Sequence, residues 1–247
     1  LHLSLRRQRQ MCIRDSSYIA WEKLIDKFMS SFHFGERMAQ NWFDLARFAD
    51  TSGYAADRTR NVWPYRDWVI KSFNDNIPFD RFTVEQLAGD LLPASTDDQK
   101  LATGFHRQAM QAKGNNPRKE EFRIKGIVDR INTTGRTWLG LTLECAECHD
   151  HKYDEISQKD FFNLFDFFNR MDEEGRIQYT DKAPRPNLKI DQNLLAEELS
   201  FIKKPDSILD IEVMVMKEAD NLRKTYLLNR GAYDSPTEIE SVSYTHL

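Results

Sequence analysis

Residues 118–169 read RKEEFRIKGIVDRINTTGRTWLGLTLECAECHDHKYDEISQKDFFNLFDFFN. Phe122, Ile124, Ile127, Val128, Ile131, Trp138, Leu139 and Leu141 recur at helical spacing, so a long helix is expected from Arg118. Gly135 and Gly140 interrupt it, where another backbone or a flat ring comes close. Ser157 has N-cap character for a second helix, KDFFNLFDFFNRM. That helix is apolar almost all round, through Phe161, Phe162, Leu164, Phe165, Phe167 and Phe168, and is expected to be buried. Between the two lies Cys145–Asp154, CAECHDHKYD, with two thiols and two imidazoles in seven consecutive positions.

Cys145, Cys148 and His149 form CxxCH, the attachment pattern of c-type haem. Thiols three residues apart sit about one helical turn apart and can each meet one haem vinyl group. The adjacent His149 then lies under the ring, where an imidazole nitrogen can bind the iron as proximal ligand. The same cysteine pair is also half of a zinc site, which His149 or His151 could complete, or a redox dithiol. The dithiol calls for a βαβ context that the flanking sequence lacks. Zinc calls for a second ligand pair from a separate stretch, and no further cysteine is at hand. Candidate second iron ligands are His106 and Met110, four apart on a helix expected through LATGFHRQAM, together with His151 and, more weakly, Met171. The competing readings are a partly buried polar residue for His106 and a core filler for Met110.

The rest of the 247-residue chain is compatible with one large domain or two small ones. Hydrophobic residues make up 40%, enough for a core, and only 10 Gly and 8 Pro punctuate it, so an all-α fold is expected. Residues 1–16 and 241–247 share no pattern with the intervening chain and resemble translated sequencing-adapter read-through; they are set aside as non-native. That leaves Cys145 and Cys148 as the remaining cysteines, and shifts the net charge of −4 to −7, because residues 1–16 carry four Arg and one Asp. An acidic chain without a basic stripe argues against nucleic acid as a partner. No apolar run approaches the ~20 residues of a membrane span.

In order, amphipathic helices are expected over 17–31 and 34–49, packed antiparallel across a short link containing His33. A polar loop over 50–63 follows, whose Asp50, Asp57, Arg58 and Arg60 are either solvated or line a surface site. Pro64 opens a further helix, and Thr83–Gln86 and Thr96–Gln99 have capping-box spacing. The domain is expected to span 17–172, followed by a linker at 173–189 and a helical hairpin or short coiled coil at 190–228, split at Pro205. Residues 229–240 then lead toward a further domain.

The stretches WFDLARFADTSGY, YRDWVIKSFNDNIPFDRFTVEQLAGDLLP, ATGFHRQAM, the 120–169 run and LLNRGAYDSPTE resemble the planctomycete cytochrome-c-associated domain of unknown function. The resemblance is close over about 18–172 and returns at 225–240. It implies a piece of a large exported bacterial protein, with a cytochrome-c-like domain before it and another domain after it. It implies a redox or electron-transfer component in bacteria that degrade complex polysaccharides, located in the periplasm or otherwise exported. The partner would be a redox protein or the adjoining cytochrome domain. Carried over by residue, it assigns Cys145 and Cys148 to thioether attachment and His149 to the iron. The family run commonly reads HDHKYDPI; here Glu155 stands in place of the proline, which alters the turn and leaves the ligands untouched.

Overall fold

A computed structural model describes residues 18–54, 57–112, 119–175, 183–190 and 211–242. The first helices are α1 (Tyr18–Met29), α2 (His33–Ala46), α3 (Trp63–Asn74), α4 (Phe79–Ala88) and α5 (Asp97–Ala102). They are followed by α6 (Lys119–Thr134) and α7 (Gln158–Asn169). The helix-forming segments obey simple local rules. Pro64 sits in the first turn of α3, where its missing N–H is no loss. Thr96 and Gln99 close a capping box on α5, and Ser157 and Asp160 close one on α7. The spacing at Thr83–Gln86 is not a cap: both lie inside α4, and the buried Gln86 Oε1 accepts from Trp42 Nε1 at 2.9 Å and from Tyr65 OH at 2.8 Å.

α2, α3, α4 and α5 surround one core, built from Ala39, Trp42, Tyr65, Trp68, Val69, Phe82 and Phe105. α6 and α7 surround a second, built from Ile124, Ile127, Ile131, Phe161, Phe162 and Phe165. Full burial of a side chain such as Val69, Ile127 or Phe161 contributes about 1.5–3 kcal/mol relative to exposure. The two cores meet at Gly135–Leu139, which forms a π-helical turn at the end of α6. Its extra residue re-aims the chain. Trp138 packs on the first core and donates to Thr83 Oγ1 at 3.1 Å, while Leu143 returns to the second core. α1 does not bury its apolar side; Tyr18, Ile25 and Phe28 stay exposed.

The all-α expectation is corrected by two small antiparallel sheets. β1 (Asn187–Lys189) pairs with β2 (Glu212–Met214), and β3 (Thr225–Leu228) pairs with β4 (Pro236–Ser241). The helical hairpin extension expected at 190–228 is overturned where it is described: residues 211–228 hold β2 and β3, and 191–210 lie outside the described residues. The physical reason is visible in IEVMV at 211–215. Its β-branched residues alternate with Glu212 and Met214, and a period of two favours a pleated strand over a helix. Val213 and Met214 are both buried.

In the stretch read as a linker, Glu173 is buried between Arg107 and Arg130, and β1 occupies 187–189. The helix expected through LATGFHRQAM ends at Ala102 and tightens to a 3-10 turn over Thr103–Arg107. His106 and Met110 therefore do not share a helical face. No helix among the described residues is long and apolar enough to cross a membrane.

Candidate functional site

The CxxCH segment joins the π-turn to α7. Glu144–Glu147 forms a 3-10 turn, in which residues three apart eclipse. Leu143 and Ala146 fall on the inner side and are buried in the α6–α7 core. Cys145 and Cys148 fall on the outer side, and both thiols are free and exposed. The turn thus has an apolar root and a two-thiol crest.

His149 is exposed, and its Nδ1 lies 2.7 Å from the carbonyl oxygen of Asp150. A carbonyl only accepts, so Nδ1 carries the hydrogen and Nε2 presents its lone pair outward. Asp150 Oδ1 in turn accepts from the Gln158 N–H at 2.8 Å, tying the motif to the first turn of α7.

The neighbouring loop is organised by His151. Its side chain is largely buried, and its Nδ1 accepts from the Asp154 N–H at 2.9 Å. Its own N–H donates to Ile156 O at 2.8 Å. Its Nδ1 also lies 3.1 Å from Asp154 Oδ2, and the Asp154 N–H occupies the Nδ1 lone pair. His151 acts as a turn-maker, leaving no imidazole lone pair free for a metal. The loop tip carries Tyr153, 83% exposed, with Lys152 Nζ 5.2 Å from the ring centre.

Sequence reading missed a second layer. Gln158 Nε2 donates to Glu147 O at 2.9 Å and to Leu228 O at 3.0 Å, clasping the motif to β3. The 3-10 turn Asn229–Gly231 then lies against Cys148. Gly231 has φ +72°, and a Cβ placed there would stand 3.0 Å from Cys148 Sγ and 3.0 Å from Glu147 Cγ. Only the turn dipeptide character of Arg230-Gly231 hinted at this, and nothing in the sequence says which residue it meets. Burial, then Glu147 and Cys145, push the Cys148 thiol above its ordinary value. Burial and Glu144 likewise raise the Glu147 carboxyl.

The structure does not bring His106 or Met110 to the motif. His106 is fully buried and lies against Phe168, their ring centres 4.9 Å apart. Phe168 is ten residues along α7 from Gln158, or about 15 Å. Met110 is exposed and sits beside Gly53 and the start of α6. Met171 is buried near Arg107, also at the far end of α7.

These residues fit a covalently held haem on one face. Two reduced thiols share a crest, and the adjacent imidazole has its Nδ1 hydrogen held by a carbonyl, the second-shell contact that orients a metal-binding ring. The other face of such a ring would find no sixth ligand among the sequence candidates. Zinc fits less well: among the described residues, no three His, Cys, Asp or Glu side chains are grouped so that they could hold a metal ion.

Neither the curated proteins nor the solved structures contain a match to this chain. A family model described as PSCyt2, protein of unknown function (DUF1549), matches residues 5–173, a span that takes in the first core, α1 to α7 and the whole CxxCH segment. The chain belongs to the PSCyt2 (DUF1549) family.

Proposed function

We propose that this chain attaches one c-type haem through Cys145 and Cys148, with His149 as proximal ligand, and serves as an electron-transfer module. The observation that carries the reading is the His149 imidazole, fixed by Asp150 O with Nε2 free, beside two free thiols on the same outer edge of a 3-10 turn. Each thiol adds across one vinyl double bond, sulfur to one carbon and hydrogen to the other, so no atom leaves and no oxidant is consumed. When bound, haem supplies a one-electron couple. The protein's part is to hold the imidazole ring in place through Asp150 and to anchor the turn through Leu143 and Ala146. Gln158 locks the motif to β3.

The resemblance noted in the sequence extends the proposal. The chain would be a piece of a larger exported planctomycete protein linked to polysaccharide breakdown, exchanging electrons with a redox partner protein or an adjoining cytochrome domain. Attachment of haem outside the cytoplasm agrees with such a location. The test is a pyridine haemochrome spectrum of the chain co-expressed with cytochrome-c maturation machinery in a periplasm. A covalent c-type signal, lost in Cys145→Ala and Cys148→Ala, supports the reading. A colourless protein carrying one zinc per chain replaces it with a structural metal site, and a colourless, metal-free protein replaces it with a scaffold.

A further inference from the structure

At the opposite end of the α6–α7 pair from Cys145 is a cavity of about 40 Å³, walled by Arg107, Arg123, Arg130, Glu173, Met110 and Gly126 among others. That is room for about three waters, the size of a carboxylate or a sulfate. Three of its walls are guanidiniums buried to more than nine-tenths. One buried carboxylate, Glu173, serves Arg107 and Arg130. Glu173 Oε1 and Oε2 accept from Arg130 Nη1 and Nη2 at 2.5 and 2.6 Å, and Oε2 also accepts from Arg107 Nη1 at 2.8 Å. Arg123 is held from the outer side by Glu120 and Asn169. The other acidic wall, Glu174, is exposed and pairs with Lys119 at 3.3 Å. The interior therefore sets Arg107 and Arg130 against the one Glu173 carboxylate, while Arg123 is answered by Glu120 at the rim.

Two further observations show that this positive excess is not fully answered. The Arg107 Nε–H is buried with no hydrogen-bond partner among the described residues. Arg107 is also pushed down to about 10, by burial first, with Arg130 and Arg60 repelling it and Glu173 only partly opposing them. A buried donor left unpaired and a buried charge that shares its one carboxylate with a second guanidinium are each costly, and both are relieved by an anion.

We propose that this cavity binds a small oxyanion, the carboxylate, sulfate or phosphate head of a ligand, received by Arg107 with Arg123 and Arg130 supplying the surrounding charge. Gly126 leaves the space open: a Cβ there would meet only Arg130 Nη2, at 3.6 Å. The site is independent of the CxxCH segment and of any haem.

Calorimetric titration of the full chain with acetate, sulfate and phosphate separately, in chloride buffer of matched ionic strength, tests it. Saturable one-to-one binding of at least one anion is expected, acetate alone marking a carboxylate ligand and sulfate or phosphate marking a tetrahedral one. Arg107→Gln should weaken it on the order of 10- to 100-fold, the loss of a charged hydrogen-bond donor. Gly126→Ala, a better helix former that narrows the cavity, should weaken it several-fold while keeping the fold intact. Should Arg107→Gln not fold, Gly126→Ala carries the comparison. No saturable heat from any of the three anions, or an affinity unchanged in the folded variants, overturns the proposal.

Discussion

Glu173→Gln isolates the most heavily paired buried carboxylate among the described residues. In the wild type the Glu173 carboxylate takes three charged hydrogen bonds, two from Arg130 and one from Arg107, with all three side chains almost wholly buried. Glutamine keeps the shape but loses the charge and turns an amide donor toward guanidinium donors. Breaking a buried pair by neutralising one partner costs about 3–5 kcal/mol, because the remaining charges stay buried. Against a total stability of about 5–15 kcal/mol, that removes a large share. In urea, with a slope of about 2–3 kcal/mol/M, the midpoint should fall by about 1–2 M. Unfolding followed by tryptophan fluorescence reads the change directly.

The pH dependence adds a second arm. Burial pushes the Glu173 carboxyl up, but Arg130, Arg107 and Arg123 outweigh it and hold it below its ordinary value. A depressed folded-state value contributes stability that is complete above the unfolded value, about 4.3. That stability is lost as pH falls through the folded value. Wild-type stability should therefore drop below about pH 4 more steeply than that of Glu173→Gln. A variant within 1 kcal/mol of wild type at pH 7, with parallel acid curves, would refute the view that this carboxylate neutralises the arginine cluster.

Three other outcomes follow from the geometry. Glu147→Gln should speed the reaction of Cys148 with a chromogenic disulfide by lowering its raised thiol; a rate unchanged from the wild type would contradict the role of Glu147. Gly231→Ala combines a left-handed backbone with a methyl against Cys148 Sγ, and should cost about 1–2 kcal/mol in urea unfolding. His106→Leu should be neutral or stabilising in the same assay, because neither ring nitrogen has a hydrogen bond to lose; a loss above about 2 kcal/mol would reveal a hidden partner.

What the sequence made legible was local. Apolar spacing located the α-helical segments but overran the ends of α5 and α6, and the capping boxes at Thr96 and Ser157 marked two N-termini, because both signals act within one or two turns. The CxxCH thiols and imidazole were legible for the same reason. The strands at 212–214 and 225–228 were not, since Ile211, Val215 and Leu222 also satisfy a helical period and the deciding pairings lie with 187–189 and 236–241. The i,i+4 argument for His106 and Met110 failed because α5 stops at Ala102, where Thr103 Oγ1 donates to Lys100 O and accepts from the Met216 N–H. Gln158, Gly231 and Glu173 matter through tertiary contacts that no short-range pattern encodes.

The β3–β4 ribbon carries a consequence for where this family's unit of folding ends. The kinship match stops at residue 173, yet α7 depends on residues well past it. Asp166 Oδ1 accepts from Thr225 Oγ1 at 2.6 Å, Asn169 donates to that same hydroxyl at 2.8 Å, and Asn163 Oδ1 accepts from Ser241 Oγ at 2.7 Å. Leu228 completes the hydrophobic cluster around Phe161 and Phe162. A protein cut at 173 would remove a hydrogen bond from each of three buried polar side chains and open the floor beneath the two cysteines. The matched region and the region packed around α7 are different lengths of chain, and an expression boundary for this module belongs after the β3–β4 ribbon.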